Sequence, residues 1–309
     1  MLRHKIIGIG EILCDIFPEA RCPGGAPMNF CYHINQLGHE GILLSAISED
    51  KIGQELHDFL VSHGLSTEGI QTQSKYPSGQ VLVDVSEPDN PKYEILESVA
   101  WDYLKLSKTY HKLMKSASAI YFGTLSQRNI NSRVVIHQIL DEAPPKCLRV
   151  FDVNLKQKFY TREIIEISFL KANMVKMSLP ETYKIAKLLK FEGEHSPEKI
   201  GKWLASAYNI QKIGITLGED GCLLIERTPG GMHFLTEKIP GRKVKVCDAV
   251  GCGDGFTAAW VYGVLENWEL RKQGEFANWL GSLIATRQGS CFPYSPKMRE
   301  IIQKLTMME

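Results

Sequence analysis

The sequence of 309 residues contains no long apolar run, no excess of one charge and no internal repeat. Its longest apolar stretch, Ala258 to Leu265, is far shorter than the roughly 18 residues that a membrane-spanning helix needs. Thirty-six basic residues oppose 35 acidic ones, so the net charge of +1 gives no sign of the concentrated basic face that nucleic-acid and membrane-surface binding usually need. We therefore expect no nucleic acid and no membrane as partner, and a small molecule as the ligand.

The spacing of the cysteines is not that of a disulfide framework or a zinc site. None of the eight forms a C-x-x-C pair, no histidine cluster has the spacing of a zinc site, and a chain of this length does not need disulfide bonds to fold. The basic N-terminus is followed by an apolar run, Ile6 to Ile9, that is too short for a signal peptide and is followed closely by Glu11 and Asp15. These features predict reduced thiols and a cytoplasmic location.

Short apolar runs alternate along the chain with stretches whose apolar residues recur at helical spacing. The runs are Ile6 to Gly10, Ile42 to Ile47, Ala119 to Phe122, Leu148 to Asp152, Met174 to Met177 and Lys212 to Thr216. Strands that are separated by helices form parallel sheets covered by helices on both faces. The sequence therefore predicts one α/β domain over residues 1–309, with a doubly wound, mostly parallel sheet flanked by helices.

One region departs from this alternation and predicts a second, smaller sheet. Gln80 to Val85 and Tyr93 to Leu96 alternate apolar and polar residues on either side of the turn-rich segment Ser86 to Pro91, as a half-buried antiparallel hairpin does. We expect this hairpin to pair with an early segment of the chain. The predicted small antiparallel sheet comprises about residues 11–22 and 78–100.

The most informative segment, Asp248 to Phe256, places three glycines around a carboxylate directly before an apolar helix. Glycines let backbone N–H groups turn toward a ligand, and a helix N-terminus adds unpaired donors with partial positive charge, so this segment is suited to bind a phosphate. Asp254 lies where it could accept a proton from a hydroxyl that attacks a bound phosphoryl group. The alternative interpretation is structural: Asp254 caps the helix and the glycines form a tight turn.

The same segment resembles the C-terminal signature of the ribokinase or PfkB family of sugar kinases, D-T-x-G-A-G-D-x-F. Five residues match that signature: Asp248, Gly251, Gly253, Asp254 and Phe256. Two other small residues, Ala249 and Cys252, replace the usual Thr and Ala. The resemblance implies a ribokinase-like fold with a lid, Asp254 as the catalytic base, and an anion hole formed by the N–H groups of Gly251, Cys252 and Gly253.

An independent likeness comes from Pro23 to Phe30, which resembles the first signature of the family. There the paired glycines, here Gly24 and Gly25, form a hinge, and the asparagine, here Asn29, binds the sugar. The resemblance also places Asp15 on substrate hydroxyls, a task that suits a carboxylate because it accepts paired hydrogen bonds. The alternative for Asp15 is an exposed surface acid.

Four further segments fall in the order that the family requires. Ser48 to Gly53 resembles G-x-D-x-x-G with Ser in place of the first Gly, and Asp152 to Lys156 resembles D-x-N-x-R with Lys in place of Arg. Ser178 to Glu181 resembles N-x-x-E with Ser in place of Asn, and Thr216 to Gly221 resembles T-x-G-x-x-G. The resemblance implies that the last three segments bind ATP. The residues concerned are Asn154, Lys156, Ser178, Glu181, Thr216, Gly218 and Gly221.

The resemblance also implies metal ions beside ATP. In the family the glutamate that corresponds to Glu181 helps to order Mg²⁺ and its waters, and since Mg²⁺ is held largely through phosphate, we expect contact through water. Asp248, Val250 and Gly289 lie where many relatives hold a monovalent cation such as K⁺, mostly through backbone atoms. ATP and Mg²⁺ are therefore the expected cofactors, with K⁺ as a further candidate.

Within the family the sequence looks most like the fructokinase-like branch, which points to fructose as the acceptor of the γ-phosphoryl group of ATP. Trp101 and Asp102 carry part of this likeness and are predicted to bind substrate, the ring against sugar carbons and the acid on hydroxyls. A buried tryptophan under the lid is an equal alternative. Arg128 could contact substrate, but we expect it on a solvated loop because arginine is mostly exposed.

Two other functions stay open. One is a kinase for 2-keto-3-deoxygluconate, ribose or a nucleoside; a sugar acid would need Arg or Lys in the pocket, and a nucleoside an aromatic clamp. The other is a catalytically weak, sugar-binding regulatory protein, which Ser48 and Ser178 suggest and which the retained Asp254, Gly251 and Gly253 disfavour. A lid sheet exposes an edge and an apolar face, so we also expect a homodimer.

Overall fold

The secondary structure follows from the computed structural model, which describes residues 3–84, 86, 92–228, 230–231 and 233–307. Within these residues the strands are β1 (Lys5–Ile9), β2 (Leu13–Ile16), β3 (Arg21–Gly24), β4 (Glu40–Ser48), β5 (Ile70–Gln73), β6 (Gly79–Asp84), β7 (Lys92–Ile95), β8 (Ala117–Gly123), β9 (Leu148–Asp152), β10 (Met174–Ser178), β11 (Lys212–Thr216), β12 (Cys222–Arg227) and β13 (Phe234–Ile239). The α-helices are α1 (Ala26–Gln36), α2 (Lys51–Ser62), α3 (Lys108–Met114), α4 (Ile130–Asp141), α5 (Arg162–Lys171), α6 (Leu179–Leu188), α7 (Pro197–Ala207), α8 (Cys252–Leu265), α9 (Leu270–Ala285) and α10 (Pro296–Met307).

Nine strands form the larger sheet, in the order β13-β12-β11-β10-β9-β8-β1-β4-β5. Every pairing from β5 to β11 is parallel, whereas β11 with β12 and β12 with β13 are antiparallel. The six apolar runs that predicted strands are β1, β4, β8, β9, β10 and β11. The predicted mostly parallel α/β fold is therefore confirmed.

Helices cover both faces of the larger sheet. Successive residues of a strand point to opposite faces, so neighbours in one strand show what packs on each side. In β1, Ile6 belongs to a buried cluster that includes Trp260 of α8, while the adjacent Ile7 belongs to a second cluster that includes Phe169 of α5. All four side chains are fully buried. No helix in the described part of the chain is both long enough and apolar enough to cross a membrane.

A smaller sheet, here called the lid, has the strand order β3-β2-β6-β7. The pairings β2–β3 and β6–β7 are antiparallel, and β2 pairs with β6 in parallel. The second sheet that the sequence predicts is thus present, and it includes both strands of the predicted hairpin. Residue 85 and residues 87–91 of that hairpin lie outside the described residues.

A buried ion pair joins the base of the lid to the main sheet. Arg128, which follows the short 3₁₀ turn Leu125–Gln127, donates from Nε and Nη2 to the two carboxylate oxygens of Asp102, each at 2.8 Å. Nη2 also donates to the carbonyl of Leu96 at 2.6 Å, and the guanidinium lies 4.2 Å from the centroid of the Trp101 ring. The side chain of Arg128 is only 6% exposed. The expectation of a solvated Arg128 is therefore wrong, because Asp102 and Trp101 provide the paired surroundings that a buried guanidinium needs.

All eight cysteines are free thiols, and two of them are exposed. Cys22 lies in the lid strand β3, where it pairs in register with Asp15 of β2. Cys247 directly precedes Asp248, in the segment that leads into α8. The exposed thiols thus lie on the lid and on the main domain.

Candidate active site

A cleft of about 750 Å³ opens between the lid and the main domain. The main domain lines it with residues that follow β9 and residues at the start of α8, and the lid lines it from β2, β6 and β7. In open α/β sheets, ligands bind at the carboxyl ends of the parallel strands, and the cleft lies there. Its polar lining includes Glu11, Asp15, Asn29, Asn154, Lys156, Gln157, Lys176, Asp248 and Asp254.

Asp254 lies in the first turn of α8 and is held by Asn29 of α1. Asn29 Nδ2 donates to Asp254 Oδ2 at 2.8 Å, and Ser290 Oγ donates to Asn29 Oδ1 at 2.8 Å, which fixes the orientation of the amide. Burial raises the pKa of Asp254, although the hydrogen bond from Asn29 and the charge of Lys176 oppose this effect. A carboxylate with a raised pKa accepts a proton more readily, so this geometry suits a general base.

The start of α8 offers backbone donors that no side chain caps. Gly251, the residue before the helix, has a φ of 80°, and a β-carbon added there would collide with Ser290. The N–H of Cys252 makes only a long hydrogen bond, 3.4 Å, to the carbonyl of Ala249. Since the first N–H groups of a helix have no intrahelical acceptor, Gly251, Cys252 and Gly253 can face an anion here.

Asp248 connects two loops at the edge of the cleft. Its Oδ1 accepts the N–H of Val250 at 2.9 Å, and its Oδ2 accepts the N–H of Gly289 at 3.1 Å. Of the three residues predicted to hold a monovalent cation, Val250 and Gly289 are therefore each hydrogen-bonded to Asp248. Both carboxylate oxygens accept backbone hydrogen bonds in this arrangement.

The residues predicted to contact the sugar from the N-terminal side come together around β2 and β3. Asp15 lies in β2 and lines the cleft, and burial raises its pKa to about 6, with Lys156 lowering and Asp248 raising it. Gly24 ends β3, and Gly25 directly precedes α1, the helix that carries Asn29. The lid and the helix that positions Asp254 are thus adjacent in the chain.

The predicted ATP-binding residues lie at or after the carboxyl ends of three adjacent strands, β9, β10 and β11. Asn154 and Lys156 line the cleft, whereas the other five lie beyond its lining. Ser178 caps α6, and its register partner in β11 is Thr216. Gly218 and Gly221 bound the short turn between β11 and β12.

Glu181 is held tightly at the start of α6. Its Oε1 accepts the N–H of Leu155 at 2.8 Å, and its Oε2 accepts the N–H and hydroxyl of Ser178 at 2.7 and 2.8 Å. Burial acts to raise the pKa of Glu181, but the charge of Lys176 and these hydrogen bonds leave it below its ordinary value. The serine that replaces the asparagine of the family thus fixes the orientation of an ionised glutamate.

The structure does not bring Trp101 and Asp102 into the cleft. Neither residue belongs to its lining, and both side chains are buried at the base of the lid. The carboxylate of Asp102 is engaged by Arg128 and by the N–H of Val99. The structure thus supports the alternative of a buried tryptophan under the lid rather than direct contact with substrate.

Sequence reasoning assigned no individual role to three buried charged residues in or beside the cleft, Glu11, Asp152 and Lys176. Lys176 Nζ lies 3.2 and 3.3 Å from the two carboxylate oxygens of Asp152. Glu11 lines the cleft, and its Oε2 is buried without a hydrogen-bond partner. A signal was present in the sequence, because a lysine inside an otherwise apolar strand must be paired when the strand is buried.

Glu11→Gln is expected to stabilise the protein more as the pH rises. Burial raises the pKa of Glu11 from 4.5 to about 7. At low pH the carboxyl is protonated in the folded and unfolded states alike, whereas between these two values only the unfolded state ionises freely, so wild-type stability falls. The stability gained by the variant should therefore grow by roughly 2 kcal/mol between about pH 5 and pH 8.

Urea denaturation of both proteins at each pH measures this difference. Glu49→Gln provides a matched control, since Glu49 is exposed and the same change should leave the pH dependence as in the wild type. A gain that does not change with pH would show that Glu11 is not desolvated in the folded protein.

Comparison with known proteins agrees with this geometry. Residues 20–298 match the model of the pfkB family of carbohydrate kinases. A protein of Pyrococcus horikoshii that is described as an uncharacterized sugar kinase is 26% identical over 298 residues, which cover 92% of this chain and 91% of that protein. Its crystal structure in complex with ATP has a TM-score of 0.81 at 25% identity and covers 97% of this chain and 98% of that one.

Two other similar proteins are named for different substrates. Fructokinase-1 of Zea mays is 23% identical over 331 residues, which cover 97% of each chain. The structure of 2-dehydro-3-deoxygluconokinase from Thermotoga maritima has a TM-score of 0.79 at 20% identity, covering 98% of this chain and 99% of that one. The family match spans most of the sequence, and the chain therefore belongs to the pfkB family of carbohydrate kinases and is a sugar kinase.

Proposed function

We propose that this sugar kinase transfers the γ-phosphoryl group of ATP to a hydroxyl of a neutral sugar, and that the sugar is fructose. The observation that carries the proposal is the hydrogen-bonded pair of Asn29 and Asp254, which lies in the cleft beside the glycine-rich start of α8. A base, an anion site and a polar pocket are what phosphoryl transfer to a hydroxyl requires, because catalysis consists mainly of positioning and charge stabilisation.

In the proposed reaction Asp254 accepts the proton of the sugar hydroxyl while the hydroxyl oxygen forms a bond to the γ-phosphorus. The bond between that phosphorus and the oxygen bridging to the β-phosphate breaks, and ADP leaves with the electron pair. The N–H groups of Gly251, Cys252 and Gly253 stabilise the charge on the transferred group. The lid excludes water, which would otherwise compete with the sugar for the phosphoryl group.

The residues of the site fit a magnesium ion that arrives with the nucleotide. No group of three or more His, Cys, Asp or Glu side chains in the described part of the chain is arranged to hold a metal. Glu181 already accepts three hydrogen bonds, so it would meet Mg²⁺ through water. Bound Mg²⁺ would neutralise charge on the β- and γ-phosphates. Asp248, Val250 and Gly289 are the proposed site of K⁺.

The charge of the cleft supports a neutral sugar over a sugar acid. Four carboxylic residues line it, Glu11, Asp15, Asp248 and Asp254, against the two lysines Lys156 and Lys176. Carboxylates accept hydrogen bonds from sugar hydroxyls and repel an acidic substrate. Arg128 lies three residues after Leu125, which lines the cleft. Its guanidinium is bound to Asp102 and so does not serve a substrate carboxylate. Tyr93 is the aromatic residue of the cleft lining, and one ring cannot hold a nucleoside base on both of its faces.

A kinase for 2-keto-3-deoxygluconate is the second candidate. The Thermotoga maritima relative favours it, and Lys156 could meet a substrate carboxylate. A Lys156 that binds a substrate carboxylate would no longer bind the nucleotide phosphates. The excess of carboxylic residues over lysines in the cleft therefore still favours a neutral sugar.

The test is ATP-dependent phosphorylation of fructose, ribose, 2-keto-3-deoxygluconate and nucleosides, with Mg²⁺ and with or without K⁺. We expect the highest kcat/KM with fructose and a stimulation by K⁺. A higher kcat/KM with 2-keto-3-deoxygluconate would retain the mechanism and replace the substrate. If the folded protein binds a sugar and phosphorylates none, the regulatory sugar-binding function replaces the proposed one.

We also propose that the protein forms a homodimer through the lid. Leu82 of β6 and its register partner Ile16 of β2 lie on the same face of the lid, opposite to the buried Val81 and Val83, and Leu82 is 39% exposed. A second subunit that covers these side chains would remove apolar surface from water. Light scattering measures the mass, and Leu82→Lys should convert the dimer to monomers.

A further inference from the structure

Lys176 occupies an unusual position for a lysine. It lies in β10, in the interior of the larger sheet, between the apolar residues Val175 and Met177. Its side chain is 8% exposed, and this exposed part of the side chain lines the cleft. Burial of an ammonium group is costly, so such a residue needs a compensating interaction.

The ion pair with Asp152 does not by itself explain the lysine. A buried ion pair is often no more stabilising than apolar residues of similar volume. The distances of 3.2 and 3.3 Å are longer than the roughly 2.7–2.9 Å of strong charge-assisted hydrogen bonds. Asp152 Oδ2 also accepts the hydroxyl of Tyr121 at 3.1 Å, so it is satisfied in part without the lysine.

The ammonium group lies against the start of α8. A β-carbon placed on Gly253 would be 2.7 Å from Nζ of Lys176, so the ammonium lies directly beside the backbone of Gly253. The carboxylates of Asp152, Glu181 and Asp254 outweigh burial and raise the pKa of Lys176, which keeps it charged. A fixed positive charge therefore lies beside the backbone donors that can face an anion.

We propose that Lys176 is a catalytic residue, whose ammonium group contacts the transferred phosphoryl group beside Gly253. This inference rests on the proposed function and adds a residue to it. Asp152 holds the ammonium in place, so the charge is oriented before the substrates bind. A preorganised charge in a site that excludes water stabilises the transition state without the cost of reorientation.

The proposal is tested by removing the charge without leaving an unpaired partner. Lys176→Met alone would strand the carboxylate of Asp152 in the interior and destabilise the fold. The double variant Lys176→Met/Asp152→Asn removes both charges, so its thermal unfolding should lie closer to that of the wild type. We expect kcat of the double variant to fall by about 100-fold, with the KM for the sugar changed by less than about threefold.

Two further variants isolate the effect of the ammonium group. Asp152→Asn retains the lysine and should keep a higher kcat than the double variant. Lys184→Met makes the same lysine substitution at an exposed position of α6 and should leave kcat unchanged. Affinity for ADP with aluminium fluoride, which mimics the transferred phosphoryl group, should fall about 100-fold in the double variant, while affinity for ADP alone is retained.

The outcomes separate this inference from the proposed function. A folded double variant with kcat and aluminium fluoride affinity within about threefold of the wild type would overturn the role of Lys176 and leave the kinase function intact. A wild-type protein that phosphorylates no sugar would overturn the proposed function and this inference with it.

Discussion

Asp254→Asn is expected to lower kcat by roughly three orders of magnitude, because the amide cannot accept the proton of the sugar hydroxyl. The fold should survive, since the amide oxygen can still accept the hydrogen bond that Asn29 now donates to Oδ2. Loss of a buried charge should leave the melting temperature unchanged or raise it. Initial rates at saturating ATP and sugar measure kcat, and calorimetry measures the retained affinity for ATP.

Asp58→Asn is the matched control for this change. Asp58 lies on α2 with a side chain 67% exposed, so the same substitution should leave kcat at the wild-type value. An Asp254→Asn variant with a kcat within tenfold of the wild type would remove Asp254 from the role of general base.

Arg128→Met is expected to lower the free energy of unfolding by about 3–5 kcal/mol, the cost of leaving a buried carboxylate without its partner. The pair of Arg128 and Asp102 is nearly inaccessible, with side chains 6% and 1% exposed. The arginine also bonds the carbonyl of Leu96, so its loss removes a connection between the lid and the main sheet. Urea denaturation measures the change, and Arg128→Met/Asp102→Asn should recover part of it.

A surface ion pair supplies the comparison. Arg162 lies 3.0 Å from Glu166 with a side chain 48% exposed, and Arg162→Met should cost less than about 1 kcal/mol. If Arg128→Met cost no more than Arg162→Met, the ion pair at the base of the lid would not be desolvated in solution.

In the larger sheet, the central strands that the sequence predicted are buried on both faces, whereas β3, β5 and β13, which it did not predict, lie at sheet edges. The central runs are apolar throughout because helices cover both sides of them. The larger sheet ends in β5 and β13, and the lid begins with β3. These three strands are short or polar and only partly buried, which is typical of edge strands and removes the periodic signal.

The site was predictable where its residues form local motifs. The glycines before α8 and the carboxylate among them indicate an anion site from their spacing alone. The contact of Asn29 with Asp254 joins residues 225 positions apart and was not predicted, since the family likeness placed Asn29 only on the sugar. The burial of Arg128 was not predictable, because its partners Asp102 and Trp101 are brought to it by the fold. Glu11 and Lys176 lie within or beside apolar runs, where a charged residue is easily taken for the end of a strand.

The two exposed thiols make the cleft accessible to chemical labelling. Cys22 pairs in register with Asp15, and Cys247 precedes Asp248, so each thiol neighbours a residue of the cleft lining. A maleimide should modify these two cysteines before the other six, which are buried or half-buried. Partial burial raises the pKa of Cys22, so its labelling should accelerate as the pH rises. Labelling rates read by peptide mass spectrometry would then report ligand occupancy on the lid and on the main domain separately, without any turnover.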